Sequence, residues 1–205
     1  MKPEYIVIGR QVLQDEVEAL IRLDAIRGED FNKACRMIDG CGSRVVFIGV
    51  GHSGHVAAKS ASSFSSLGIL SFFLHAAEAV HGELGAVGAG DVAILISNSG
   101  ETAELLALLP RLKEVGAQCI GIVGNAGSTL ARHCDVVLST GFTQEAGPLK
   151  FAGSSSALLA LALCDMLGMA VASARGLTAE AYSKHHPGGA VGASLHGRVE
   201  VDTEI

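Results

Sequence analysis

Five short runs rich in Val, Ile, Leu and Phe recur along the chain, at residues 44–50, 69–74, 91–97, 118–123 and 135–139. Helix-forming segments lie between them. Runs this apolar and this short suit strands buried on both faces, so helices must cover the sheet on both sides. A chain that alternates strand and helix builds a parallel sheet, because each right-handed crossover returns the next strand in the same direction. The fold expected is α/β, a three-layer sandwich around a five-stranded parallel sheet with flavodoxin-like order 2-1-3-4-5. No linker, repeat or low-complexity stretch interrupts the 205 residues, which read as one domain over 1–205. Helices are expected within residues 3–24, broken by Gly28, then over about 30–38 and 56–66, through the helix-forming stretch 105–109, and over about 154–174, with Thr178 capping a last one.

Sheets of this kind bind ligands beyond the carboxyl ends of their strands, where the strand order reverses. Order 2-1-3-4-5 puts that point between the strands ending at Val50 and Ser97. The second of these runs into Ser97-Asn98-Ser99-Gly100-Glu101-Thr102 and then a helix. A helix amino end carries unpaired N–H groups and partial positive charge, so it attracts an anion. Ser97, Ser99 and Thr102 add hydroxyl donors, and Gly100 lets the backbone come close. The turn reads as a phosphate cradle; the plainer alternative is a capping box, Ser99 with Thr102 or Asn98 with Glu101. The first strand runs into Gly49-Val50-Gly51-His52-Ser53-Gly54. That spacing matches a dinucleotide fingerprint, yet no acidic residue ends the next strand to take a ribose hydroxyl. Ser53 suits a phosphate or a sugar hydroxyl instead.

Composition narrows the partners. The net charge is −6 with no basic run, so nucleic acid is not expected. With 49% hydrophobic residues and only 18% charged, the chain is expected to hide surface by oligomerising as well as by folding. Five cysteines, odd in number and without C-x-x-C spacing, point to reduced thiols in a cytoplasmic protein. Residues 1–10 carry no signal-peptide pattern. The most apolar segment, 157–170, holds Asp165 and is short for a membrane span, so a buried or interface helix is expected and no membrane partner.

Five stretches occur in order: Gly51-His52-Ser53-Gly54-His55, His75-x-x-Glu78-Ala79-x-His81-Gly82-Glu83-Leu84-Gly85, Ser97-Asn98-Ser99-Gly100-Glu101, Glu145-Ala146-x-Pro148-Leu149 and His186-Pro187-Gly188-Gly189-Ala190. Together they resemble the sugar isomerase (SIS) domain, and within it the arabinose-5-phosphate isomerase family, over a core of about residues 35–195. The resemblance implies a homo-oligomer, a tetramer or a dimer, that interconverts D-arabinose 5-phosphate and D-ribulose 5-phosphate without an organic cofactor. Many members carry a pair of regulatory (CBS) domains after the isomerase domain, and this chain is similar to the short form. The resemblance places the phosphate on Ser97, Asn98, Ser99, Gly100 and Thr102, with Ser53 nearby and His81 touching substrate. Its catalytic positions fall on His52, Glu104, Glu145 and His186, and His75 matches a histidine that can bind an inhibitory zinc ion. Two positions depart. The family's first loop usually reads Gly-Lys-Ser-Gly-His, with His52 here in the lysine's place. His75-Ala76-Ala77 stands where His-Pro-Gly or His-Pro-Ala is common.

Moving a proton between adjacent carbons needs a base and an acid near them, an oxyanion donor and a hold on the phosphate. Glu145 is expected to shuttle the proton between C1 and C2, its carboxylate made more basic by partial burial. His186 would open the sugar ring or move protons between oxygens, and Glu104 lies one turn into the phosphate-holding helix. A neutral His52 would polarise the carbonyl. Plainer readings stand beside these. Glu101 and Glu104 complement a helix dipole, Glu145 is a solvated loop charge, and His75 and His81 lack a third metal ligand. The competing functions are a non-catalytic sugar-phosphate sensor, an isomerase of a hexulose or heptose phosphate, and nucleotide binding through the first loop.

Overall fold

The structure, a computed structural model, describes residues 4–26 and 28–187; Gly188-Gly189-Ala190 of the last motif lie outside them. Each apolar run forms a strand: β1 Val45–Gly49, β2 Ser71–His75, β3 Val92–Ser97, β4 Gln118–Val123 and β5 Val136–Ser139. All pair in parallel, in the order β2-β1-β3-β4-β5. β1 and β3 are buried along their whole length, which is why they read as continuous apolar runs. The helices are α1 Tyr5–Arg22, α2 Gly28–Asp39, α3 Gly51–Ser66, α4 Ala76–Ala79, α5 Ala103–Val115, α6 Thr129–His133, α7 Ser155–Ala174 and α8 Ala179–Lys184.

Alternate strand residues feed two cores, one on each face of the sheet. Val45 and Phe47 pack with Ile38 of α2, Phe64 of α3 and Leu163 of α7. Val46 and Ile48 pack with Ala76 of α4, Leu105 and Leu112 of α5 and Leu130 of α6. At the amino edge of the sheet, the fully buried Asp91 accepts hydrogen bonds from the backbone N–H of Arg44 at 3.0 Å and of Gly88 at 2.9 Å. The Arg44 guanidinium lies 3.4 Å from its other face. Asp91 thereby pins the start of β1 to the start of β3.

Two expectations need correction. Gly28 does not end the first helix: a 3-10 turn, Leu23–Ala25, does so, and Gly28 opens α2. α3 begins at Gly51, five residues before the expected Val56, with Val50 as an extended N-cap at φ −131°. The strand runs into the helix without a spacer because Gly49 lets them touch; a Cβ there would sit 2.7 Å from the Ser53 carbonyl oxygen. α7 runs 20 residues, matching the expected 154–174, and by length and composition alone it is long and apolar enough to cross a membrane. In the fold it packs on α1, α2 and α3, with Leu159, Leu163 and Leu167 buried. Thr178 caps α8 as expected, accepting from Ala181 N–H at 3.1 Å. All five cysteines are free. Burial pushes the thiols of Cys119, Cys134 and Cys164 up to about 12.

Candidate active site

Ser97 closes β3 and is buried. Its Oγ accepts the Gly100 N–H at 2.9 Å and lies 2.8 Å from Thr102 Oγ1 and 3.5 Å from Ser99 Oγ. Ser99 Oγ accepts the Glu101 N–H at 3.2 Å. Thr102 is the N-cap of α5, yet its side chain does not cap that helix. The capping-box alternative is therefore not what forms: the hydroxyls bind one another and the turn. The first N–H groups of α5 stay directed at the turn, as an anion site requires.

Three bonds tie this turn to the loop after β4 and to the start of α6. Gly124 N–H donates to Asn98 O at 2.9 Å, and Leu130 N–H donates to Gly100 O at 3.0 Å. Thr129 N–H donates to Glu101 Oε1 at 2.7 Å, which holds Glu101 below the usual carboxylate range. Glu101 thus serves the amino end of α6, a different helix from the one its plainer reading had it complement.

Across the switch point, His52 and Ser53 stand in the first turn of α3. Together with Asn98, Thr140 and Ser156 they line a narrow crevice of about 20 Å³. His52 is exposed, and its ring lies over Gly153, where a Cβ would be 3.5 Å from Cγ. Glu104 is half-buried in the first turn of α5.

Glu145 is buried, at 8% exposure, not a solvated charge. Oε2 accepts from the N–H groups of Ser154 and Ser156 at 2.9 and 3.1 Å and from Ser154 Oγ at 3.3 Å; Oε1 accepts from Ser156 Oγ at 2.5 Å. The carboxylate closes the amino end of α7. Burial pushes its pKa up, but these bonds outweigh burial and leave it below the ordinary value. The expectation of a more basic Glu145 is thereby reversed. It reaches the crevice only through Ser156.

His186 lies elsewhere. Its Nδ1 is 2.9 Å from Tyr182 O and its ring stacks on Tyr182 at 4.2 Å. Neighbouring His185 contacts Ser66 O at 3.1 Å, at the carboxyl end of α3. His52 is at the amino end of that helix, which spans roughly 24 Å at 1.5 Å per residue. Within one chain, then, His186 does not meet the other three. His81 is exposed after α4 and does not line the crevice. His75 ends β2, and its buried Nδ1 has no hydrogen-bond partner among the described residues. Among the same residues no three His, Cys, Asp or Glu side chains gather as metal ligands, so the zinc expected at His75 finds no partners there.

The fold therefore brings His52, Ser53 and Asn98 to one crevice and sets Ser97, Ser99, Gly100 and Thr102 in the adjoining turn. Thr140 and Ser156 were not expected. Thr140 reads as the tail of a strand. Ser156 had a signal, the Ser154-x-Ser156 pair at a helix start downstream of Glu145.

Glu145 and Asp91 predict acid sensitivity. At both, burial raises the pKa, and hydrogen bonds bring it below the ordinary 4.5 and 3.8: from Ser156 and Ser154 at Glu145, and from Ser43, Gly88 and Arg44 at Asp91. The folded chain binds these protons less tightly than the unfolded chain. Their stabilisation is full above the ordinary values and is lost as pH falls through the lower folded ones. Thermal melts should drop steeply between about pH 5 and about pH 3, and Glu145→Gln should flatten the drop. An unchanged slope in that variant would refute the role given to Glu145.

Comparison with known proteins extends the picture. Residues 38–170 match the family model described as SIS domain. The arabinose 5-phosphate isomerase KdsD of Salmonella typhi is 44% identical over 93% of the chain, and the chain spans 58% of its length. The arabinose 5-phosphate isomerase KdsD of Pseudomonas aeruginosa is 43% identical over 96% of the chain, which spans 60% of its length. Among solved structures, an E. coli CFT073 protein in complex with arabinose 5-phosphate superposes with a TM-score of 0.87 at 38% identity, covering 91% of this chain and 100% of its own.

Proposed function

Because the chain belongs to the SIS domain family, we propose that it is a sugar-phosphate aldose–ketose isomerase. The reaction is D-arabinose 5-phosphate to D-ribulose 5-phosphate, by proton transfer through an enediol. The observation that carries this reading is the meeting of two anion-friendly turns at the β1/β3 switch point, with His52, Ser53 and Asn98 on one crevice. The names of the relatives supply the reaction, and the sugar-phosphate complex of the E. coli protein supplies the ligand class.

Ser97, Ser99, Thr102 and the open N–H groups of α5 hold the phosphate. The carbonyl end of the sugar faces α3, where the His52 imidazole donates a hydrogen bond to the developing oxyanion. Glu145 is engaged by four hydrogen bonds, so Glu104, with none among the described residues, is freer to exchange a proton with carbon. A neighbouring copy supplies His186, since its own chain holds it at the far end of α3. The working enzyme is then a homo-oligomer, a tetramer or a dimer, in the cytoplasm.

Incubated with D-arabinose 5-phosphate, the protein is expected to form ketose. His52→Ala should lower kcat about 10²- to 10³-fold, the effect of losing one oxyanion donor, and His52→Lys should retain activity. Unchanged kcat in His52→Ala removes that residue from the mechanism. Tight binding with no ketose overturns the enzyme reading in favour of a non-catalytic sugar-phosphate sensor. That second reading draws on Glu145, whose lowered proton affinity suits a scaffold better than a base. Ketose formed only from a longer sugar phosphate would move the substrate to the hexulose or heptose class.

A further inference from the structure

Two polar atoms of the crevice are buried without a hydrogen-bond partner among the described residues: Asn98 Oδ1 and Thr140 Oγ1. Native folds leave few such groups unpaired, and each one calls for an explanation. Both are firmly placed. Thr140 is 3% exposed, and its N–H donates to Val123 O at 2.9 Å at the carboxyl edge of the sheet. The Asn98 carboxamide lies over Gly124, where a Cβ would be 2.1 Å from Oδ1. The rest of the lining combines the polar His52, Ser53 and Ser156 with the apolar Ile96, Ile122, Ala157 and Ala160. In the structure neither atom is paired with any of these groups.

Size and chemistry define what fits. About 20 Å³ accepts one water-sized group and excludes a whole sugar or phosphate. Asn98 Oδ1 accepts only, so its partner must donate. Thr140 can donate or accept. A phosphate dianion has no proton to give Asn98. A carbon-bound hydroxyl has the matching chemistry: it can donate to Asn98 Oδ1 and accept from Thr140 O–H.

We infer that the crevice is a hydroxyl-recognition subsite, in which one hydroxyl of the substrate bridges Asn98 and Thr140. Thr140 is then a specificity-determining residue that touches the sugar and takes no part in the proton transfer. The choice of ligand class rests on the sugar-phosphate reading above. The cradle fixes one end of the molecule, and this subsite fixes its rotation about that end. A site built around a hydroxyl discriminates sharply against the analogue that lacks it, because the buried groups then stay unpaired.

The test is calorimetric titration of the full chain with inorganic phosphate, D-arabinose 5-phosphate and its 2-, 3- and 4-deoxy analogues. Wild type, Thr140→Val and Thr140→Ser are compared. In wild type, one deoxy analogue should bind at least about tenfold more weakly than the parent sugar. Thr140→Val should bind the parent as weakly as that analogue, closing the gap, and Thr140→Ser should keep it. Inorganic phosphate should bind all three proteins alike. Thr140→Val should melt no lower than wild type, since the hydroxyl it loses has no partner among the described residues.

A gap of unchanged size in Thr140→Val overturns the inference, and is the result expected if the crevice merely houses a structural water. Equal weakening of phosphate and sugar, or sugar binding no tighter than phosphate, also overturns it. Absence of ketose with this affinity pattern intact defeats the isomerase reading alone. Ketose formation with the gap unchanged defeats the subsite alone.

Discussion

Gly100→Val is expected to weaken phosphate and sugar-phosphate binding at least about a hundredfold while the sheet stays folded. Gly100 has φ +67°, a left-handed conformation that a β-branched residue adopts only under strain. An added Cβ would stand 2.0 Å from Ser128 Oγ and 2.4 Å from Ser128 Cβ. Ser128 cannot step aside, since it is buried and caps α6 through Ala131 N–H at 3.3 Å. The turn must move instead, and Gly100 is held on both sides, by Ser97 Oγ and by Leu130 N–H. Moving it breaks the hydroxyl cluster proposed to hold the anion. Titration with inorganic phosphate reads the loss, and far-ultraviolet circular dichroism reads the fold. Affinity within about threefold of wild type would show that the turn is not the anion site.

Asp91→Ala is expected to destabilise the protein by about 2–4 kcal/mol, from two half-buried backbone donors left without their acceptor. The Arg44 side chain is 41% exposed, so its ionic part is screened and contributes little. The N–H groups of Arg44 and Gly88 are half-buried and lose the acceptor that the fold gives them. For a chain of this size the loss corresponds to a melting temperature lower by roughly 4–16 °C. Asp91→Asn should lose less, because it keeps one acceptor for one of these donors. A melting curve for Asp91→Ala that overlays wild type would deny Asp91 its place as the pin between β1 and β3.

The sheet was legible because its strands are buried on both faces. Residues 118–123 could be read to the residue, since nothing in Gln118–Val123 competes with a strand. The start of α3 was not. Gly51, Ser53 and Gly54 are poor helix formers by themselves, and what makes them helical is the contact of Gly49 with the Ser53 backbone, which no local pattern encodes. α6 escaped because Thr129–His133 is too short to show a period; Ser128 was its only mark. At the site, hydroxyls and charges were visible as residue types, and their engagements were not. Glu145 looked like a base and is closed off by serines nine and eleven positions away. His186 sat in a recognisable motif, yet the return of α8 onto the far end of α3 carries it away from His52. Thr140 gave no signal, because an unpaired hydroxyl is a property of three-dimensional neighbours.

The three ties that bind residues 98–101 to the β4–α6 segment have a thermodynamic consequence. A slack loop would surrender roughly 1–2 kcal/mol of backbone entropy per residue on closing around its guest. Here that freedom is already gone when the protein finishes folding. An anion bound there, as proposed, would meet a turn already ordered, so little of its contact free energy would go to fixing the backbone.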